Sequence, residues 1–153
     1  GRHRWCAPAL GAFGKWAPDA TLRALATILA EAAGARAAVL DDGEGIVARA
    51  FAERGAEVLI VEADPELAAR AAANAPGARM AGGVPEAARA GGWDFLADVS
   101  PWTDGAGAAA LLGETRRAAL LRVPLERRGF VEAASPGGGL VLMRRAAAGA
   151  PAI

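Results

Sequence analysis

Hydrophobic residues along this chain fall into short continuous runs separated by stretches with helical periodicity. The runs predict strands at residues 37–40, 57–62, 93–98 and 118–123, with a weaker strand at residues 78–81. Such alternation of strand and helix is typical of a parallel sheet built with right-handed crossovers. The pattern therefore indicates an α/β protein.

The intervening stretches predict helices at residues 19–33, 46–54, 65–74, 85–90 and 106–115. In the first of these, Leu22, Leu25, Ile28 and Leu29 form one apolar stripe that suits packing on a sheet. Asp64 stands where an N-cap is expected, and glycines follow the predicted ends of the first two helices. These start and stop signals support the boundaries.

The C-terminal part has a different pattern. Residues 130–134 and 140–145 are apolar runs separated by Ser-Pro-Gly-Gly-Gly, which predicts an antiparallel β-hairpin. The expected fold is a Rossmann-like three-layer α/β/α sandwich, with a mostly parallel sheet and this hairpin at its end. We expect an irregular N-terminal segment at residues 1–18, one α/β domain at residues 19–146 and a flexible tail at residues 147–153.

Composition restricts the class of protein. Hydrophobic residues make up 54% and charged residues 22% of the 153 positions, which favours a folded domain over a disordered chain. The single cysteine, Cys6, excludes a disulfide within this sequence and suits a reducing compartment. No apolar run is long enough to cross a membrane, and residues 1–5 lack the form of a signal peptide. We therefore expect a cytoplasmic protein.

Candidate binding residues follow the predicted strands. The first strand ends in Asp41 and Asp42 and turns at Gly43 and Gly45 into a helix, an arrangement that α/β proteins use to bind nucleotides or nucleosides. Asp98 ends the fourth predicted strand. The carboxylates of Asp41, Asp42 and Asp98 are expected to converge, and hard oxygen ligands suit Mg²⁺. A magnesium site at this edge is therefore an alternative to a nucleotide or nucleoside site.

The span from about residue 19 to residue 145 resembles the class I S-adenosylmethionine-dependent methyltransferases. The resemblance rests on the glycine-bearing turn after the first strand, on Glu62 at the end of the second strand and on the terminal hairpin. It implies methyl transfer from S-adenosylmethionine to a small molecule or RNA. It also implies a catalytic role for Asp98, which would orient the acceptor. The cofactor-binding residues that it implies are Asp41, Gly43, Glu44, Gly45 and Glu62.

Other functions remain open on the same residues. The segment from Gly43 to Glu62 is shorter than in the family, and Gly82 and Gly83 stand where the family often has an acid for the adenine. These features favour a non-catalytic binding or scaffold module that uses the fold with a protein partner. The acidic residues also resemble those of a receiver domain, and Gly43-x-Gly45-x-x-Ala48 matches the dinucleotide-binding pattern.

Overall fold

The computed structural model describes residues 25–40, 45–99, 103–123, 125, 129–137 and 140–146. Within these residues the chain forms one sheet and two sets of helices. The strands are β1 (Arg36–Leu40), β2 (Glu57–Val61), β3 (Arg79–Ala81), β4 (Trp93–Asp98), β5 (Thr115–Leu121), β6 (Phe130–Gly137) and β7 (Leu140–Arg145). The helices are α1 (residues 25–29), α2 (Ile46–Glu53), α3 (Pro65–Asn74), α4 (Val84–Ala90) and α5 (Ala106–Leu111), and a 3₁₀ turn follows at Leu112–Glu114.

The strands form a seven-stranded sheet in the order β3-β2-β1-β4-β5-β7-β6. The first five are mutually parallel, whereas β7 runs antiparallel to β5, and β6 runs antiparallel to β7. This arrangement confirms the predicted α/β fold with its C-terminal hairpin. It differs from the 2-1-3-4-5 order of receiver-like sheets, because β3 lies outside β2 and leaves β1 beside β4.

Both faces of the sheet are covered, which explains why the central strands are continuous apolar runs. On one face, Val39 of β1 and Phe95 of β4 belong to the core that α1, α2 and α3 cover. On the other face, Leu40 and Leu96 belong to the core that α4 and α5 cover. Successive residues of a strand point to opposite faces, so each central strand supplies both cores. The three-layer prediction is confirmed.

Local signals account for the start of α3. Asp64 adopts an extended conformation, and its Oδ1 accepts hydrogen bonds from the main-chain nitrogens of Glu66 at 2.9 Å and Leu67 at 3.3 Å. Pro65 occupies the first helical turn, where its missing N–H costs nothing. The predicted N-cap is therefore confirmed, and it fixes the chain direction directly after β2.

Several predicted boundaries were wrong by two or more residues. The fifth strand begins at Thr115 rather than residue 118 and ends at Leu121, and α5 is correspondingly shorter. Thr115 joins the strand because its hydroxyl is buried as the acceptor of a 2.9 Å hydrogen bond from Trp93 Nε1. β6 continues to Gly137 instead of stopping at residue 134. It includes Pro136, which a strand paired on one side accommodates, and the described residues pair β6 with β7 alone.

The regular part of α1 ends at residue 29, and hydrogen-bonded turns continue to Gly34. The predicted N-terminal segment at residues 1–18, the predicted helix start at residues 19–24 and the predicted tail at residues 147–153 lie outside the described residues. None of the described helices combines the length and apolar character needed to cross a membrane.

Candidate functional site

The carboxyl edge of the parallel strands carries a cavity of about 340 Å³. It opens between the two halves of the sheet. From β1 the chain adds β2 and then β3 on one side, and it then returns to place β4 on the other side of β1. Ligands of open α/β sheets bind at this kind of switch point. Among the described residues, the lining consists of Leu40, Val61, Ala63, Gly83, Val84, Asp98, Thr103, Asp104 and Gly107.

Glu62 follows β2 directly and is 3% exposed. Its main-chain nitrogen donates to the Ala81 carbonyl at 3.0 Å, and its Oε2 accepts a hydrogen bond from the main-chain nitrogen of Asp64 at 3.0 Å. Because Asp64 in turn caps α3, the Glu62 carboxylate is fixed between the end of a strand and the start of a helix. The residue lies between Val61 and Ala63, which both line the cavity.

Asp98, the last residue of β4, is 2% exposed and lines the cavity. Its Oδ2 accepts a hydrogen bond from Thr103 Oγ1 at 2.7 Å, and its carbonyl accepts one from the Arg122 main-chain nitrogen at 2.9 Å. The Arg122 guanidinium donates to the Val99 carbonyl from Nη2 at 2.8 Å and from Nε at 3.3 Å. Partial burial lowers the pKa of Arg122, and the nearby Asp98 charge opposes that change.

Glu62 and Asp98 are the two buried carboxylates of the described residues. Each ends or follows a strand that pairs directly with β1, Glu62 on the β2 side and Asp98 on the β4 side. Burial of a carboxylate costs free energy unless hydrogen bonds and nearby charges compensate it. Placing both of these costly groups at one edge makes that edge the candidate site.

Gly45 is the N-cap of α2 and has a left-handed conformation, with φ of +83°. A Cβ added there would stand 2.9 Å from the Cα of Ala71 in α3. The glycine is therefore required for close packing of α2 on α3, and its predicted role toward a cofactor remains a prediction. The other candidates in this turn, Asp41, Gly43 and Glu44, lie outside the described residues.

The turn after β3 is contacted by an acid, Glu86, that was not predicted as a site residue. Glu86 Oε2 accepts a hydrogen bond from the main-chain nitrogen of Gly82 at 2.6 Å, so the first turn of α4 reaches back over the glycines. Glu86 is the third residue of α4, and an acid at this position often accepts a hydrogen bond from a main-chain nitrogen that precedes the helix. The sequence therefore contained a signal for this contact. Gly83, beside it, lines the cavity.

Thr103 and Gly107 were also missed as cavity residues. Thr103 belongs to the connection from β4 to α5, and Gly107 lies in the first turn of α5. A Cβ at Gly107 would stand 3.3 Å from Val84 Cγ2 and 3.5 Å from Leu40 Cδ2, so its absence leaves space between two cavity walls. The available signal was the polar connection that follows β4. Whether residues of this connection reach the cavity depends on tertiary packing, which the sequence does not specify.

The magnesium hypothesis receives no support. The part of the chain that the structure describes contains no group of three or more His, Cys, Asp or Glu side chains arranged to bind a metal ion. Asp98 bonds Thr103, whereas Asp41 and Asp42 lie outside the described residues.

Comparison with known proteins agrees with the topology. No family model and no curated protein matches the sequence. Among solved structures, a methyltransferase from Geobacter sulfurreducens has a TM-score of 0.64 at 15% identity, covering 92% of this chain and 88% of that one. Magnesium protoporphyrin IX methyltransferase from Synechocystis, solved with bound S-adenosylmethionine, has a TM-score of 0.61 at 15% identity, with coverages of 83% and 80%.

The ribosomal protein L11 methylase from Lactobacillus delbrueckii has a TM-score of 0.59 at 16% identity and covers 80% of this chain and 76% of that one. At such identities the comparison establishes the fold, and the antiparallel β6–β7 hairpin of this chain is one of the features on which the resemblance in the sequence rests. The chain therefore has the fold of the class I S-adenosylmethionine-dependent methyltransferases.

Proposed function

We propose that this domain binds S-adenosylmethionine at the carboxyl edge of its sheet and transfers the methyl group to a small molecule or RNA. The observation that carries the proposal is the pair of buried carboxylates, Glu62 and Asp98, on the two strands that flank β1. A structural neighbour of the same fold was solved with this cofactor.

The cavity residues fit such a ligand in size and chemistry. A volume of about 340 Å³ lies within the usual range of small-molecule sites, roughly 300 to 1,000 Å³. Leu40, Val61 and Val84 supply apolar walls suited to a flat nucleobase, and the glycine at position 107 keeps space open between two of those walls. Asp104 supplies a carboxylate that can accept hydrogen bonds from an amino group.

Each buried carboxylate has a proposed task. Glu62 accepts hydrogen bonds from the two ribose hydroxyls, since one carboxylate offers two oxygens to two donors. Asp98 lines the cavity, where its negative charge favours a sulfonium cation, and it orients the acceptor. Bound S-adenosylmethionine supplies a methyl group activated for displacement by a nucleophile. Positioning contributes most to such a reaction, so the site needs no dedicated acid–base pair.

A cofactor-free binding module is the second candidate function. It is favoured by the position of Glu62, which is only 3% exposed and is not among the described residues that line the cavity. A ribose therefore reaches the Glu62 oxygens only if surrounding atoms move. In this second case the domain would use the same fold to bind a protein partner, and the two carboxylates would serve the structure alone.

Calorimetric titration with S-adenosylmethionine and S-adenosylhomocysteine tests the proposal. We expect wild-type dissociation constants below about 100 μM, equivalent to about 5.5 kcal/mol. Glu62→Gln preserves shape and an acceptor for the Asp64 nitrogen, but it removes the charge that strengthens hydrogen bonds from ribose. Affinity should therefore fall by about tenfold or more.

Glu57→Gln is the matched control, because Glu57 is an exposed glutamate at the opposite end of β2. Its affinity should equal that of the wild type. Absence of wild-type binding at about 1 mM of either ligand, about 4.1 kcal/mol, would reject cofactor binding and favour the partner-binding module.

Catalysis requires its own assay. Purified protein is incubated with methyl-labelled S-adenosylmethionine and either total RNA or a small-molecule extract, and label in each fraction is measured. We expect label in one fraction, and we expect Asp98→Asn to reduce it at least tenfold because the acceptor loses its orienting charge. Binding without label in either fraction would leave a cofactor-binding domain and reject methyl transfer to these two substrate classes.

A further inference from the structure

Thr103 connects the cavity carboxylate to the start of α5. Its Oγ1 lies 2.7 Å from Asp98 Oδ2 and 3.1 Å from the main-chain nitrogen of Gly105. The Gly105 nitrogen can only donate, so the hydroxyl accepts from it and directs its single proton to the carboxylate. Because the hydroxyl has only one proton, these assignments give the direction of both hydrogen bonds.

The Gly105 end of this connection is closely packed. Gly105 has φ of +82°, and a Cβ there would stand 2.9 Å from the Val123 Cβ, just beyond β5. Asp104 Oδ1 accepts a hydrogen bond from the nitrogen of Ala106, the first residue of α5, at 2.9 Å. The nitrogen that orients the Thr103 hydroxyl therefore belongs to a turn that begins α5 and lies close to Val123.

The main chain around Asp98 is held by Arg122, the residue that follows β5. Arg122 donates its main-chain N–H to the Asp98 carbonyl, and its guanidinium bonds the Val99 carbonyl. These contacts fix the backbone at the end of β4, whereas the hydrogen bond from Thr103 acts on the side chain. The hydrogen bond from Thr103 therefore acts on the carboxylate in addition to the charge of Arg122, which also lies near Asp98.

We propose that Thr103 is a positioning residue: its hydroxyl holds the Asp98 carboxylate in the orientation that a positively charged ligand group meets in the cavity. This inference rests on the proposed binding of S-adenosylmethionine. A hydroxyl that acts through a carboxylate affects a cationic ligand more than a neutral one, because the charge interaction depends on the distance and direction of that carboxylate. S-adenosylmethionine carries a sulfonium charge, and S-adenosylhomocysteine has a neutral sulfur.

The test compares Thr103→Val, which keeps the shape and removes the hydroxyl, with Thr103→Ser, which keeps the hydroxyl. For Thr103→Val we expect calorimetric affinity to fall about tenfold for S-adenosylmethionine and about threefold or less for S-adenosylhomocysteine. Thr103→Ser should restore both affinities to within about threefold of the wild type. Urea unfolding verifies that each variant is folded, and Thr103→Ala replaces Thr103→Val if the valine variant is not.

A double-variant cycle identifies the route of the effect. In an Asp98→Ala background, Thr103→Val should change affinity for S-adenosylmethionine by less than about twofold, since residues that act as a unit are not additive. Equal losses for the two ligands, or equal affinities of the valine and serine variants, would overturn the positioning role while wild-type binding still supports the proposed function. Absence of wild-type binding would instead reject the proposed function, and this role with it.

Discussion

Gly45 and Ala71 approach so closely that a Cβ on Gly45 would lie 2.9 Å from the Ala71 Cα and 3.0 Å from its carbonyl oxygen. The contact joins the first residue before α2 to the middle of α3. Both obstructing atoms belong to the backbone, so a rotamer change cannot relieve the overlap. The sequence pattern associates Gly45 with a ligand, but the packing of α2 on α3 is enough to explain why a glycine is present at this position.

Gly45→Ala should lower the free energy of unfolding by about 2 to 4 kcal/mol. The substitution adds the cost of a left-handed alanine, about 1 kcal/mol, to that of overpacking two helices, about 1 to 3 kcal/mol. Gly34→Ala is the matched control, because Gly34 has φ of +74° and nothing within 4 Å of an added Cβ. The free energy of unfolding of Gly34→Ala should fall only by the conformational contribution, about 1 kcal/mol. Equal losses in urea denaturation would show that α2 shifts freely away from α3.

The sequence was sufficient for the fold because the strands are apolar against an alanine-rich background. Alanine favours helix almost everywhere in this chain, so the strands were indicated by Val, Leu and Ile in β1 and β2 and by Trp, Phe and Leu in β4. The boundaries that failed have tertiary causes. Thr115 is polar in sequence but buried through Trp93, and Pro136 interrupts a strand pattern but lies on an edge strand.

The site was predicted less completely than the fold. The acids Glu62 and Asp98 could be selected because they end apolar runs, and the structure places both at the carboxyl edge. Thr103 and Gly107 carry no pattern of their own: one is a loop hydroxyl, and the other is one glycine among 20. Their proximity to the cavity follows from how α5 packs beside β4, which no local signal specifies.

Loss of the hydroxyl at position 115 should destabilise the core beneath α5. Thr115→Val leaves the Trp93 Nε1–H without its 2.9 Å acceptor in a buried environment, which costs about 1 to 3 kcal/mol. Thr115→Ser retains the acceptor and should lose less, through one buried methyl group. Chemical denaturation followed by circular dichroism measures both. A valine variant as stable as the serine variant would show that Trp93 finds another acceptor.

Glu31 should contribute stability that depends on pH. Its Oε2 accepts a 2.8 Å hydrogen bond from Arg144 of β7, and its Oε1 accepts a 3.0 Å bond from Arg117 of β5. The bond from Arg144, and next that from Arg117, lower the pKa of Glu31 below its ordinary value of 4.5, although desolvation opposes them. Because the pKa is lower in the folded state, the contribution is complete above about pH 4.5 and is lost as the pH falls through the folded-state pKa.

Glu31→Gln should therefore be less stable than the wild type at pH 7 by roughly 1 kcal/mol or less, since the side chain is 35% exposed and solvent screens the pairs. The difference should shrink as the pH is lowered from 5 toward about 3. Glu53→Gln is the control, because Glu53 pairs with Arg49 at an exposed helix surface. Urea midpoints across this range measure both variants, and a constant difference for Glu31→Gln would contradict the linkage.

Gly107→Val should fill part of the cavity, so that its effect on ligand affinity can be compared with its effect on the free energy of unfolding. The added side chain enters the space between Val84 and Leu40, whose nearest atoms lie 3.3 Å and 3.5 Å from a Cβ at this position. Overpacking should cost about 1 to 3 kcal/mol, partly offset because valine is a better helix former than glycine, while affinity for S-adenosylhomocysteine should fall at least tenfold. Gly113→Ala, with nothing within 4 Å of its added Cβ, is the control and should bind as the wild type does. Wild-type affinity in a folded Gly107→Val protein would place the ligand outside this cavity, because a nucleobase and an isopropyl group cannot share the same volume.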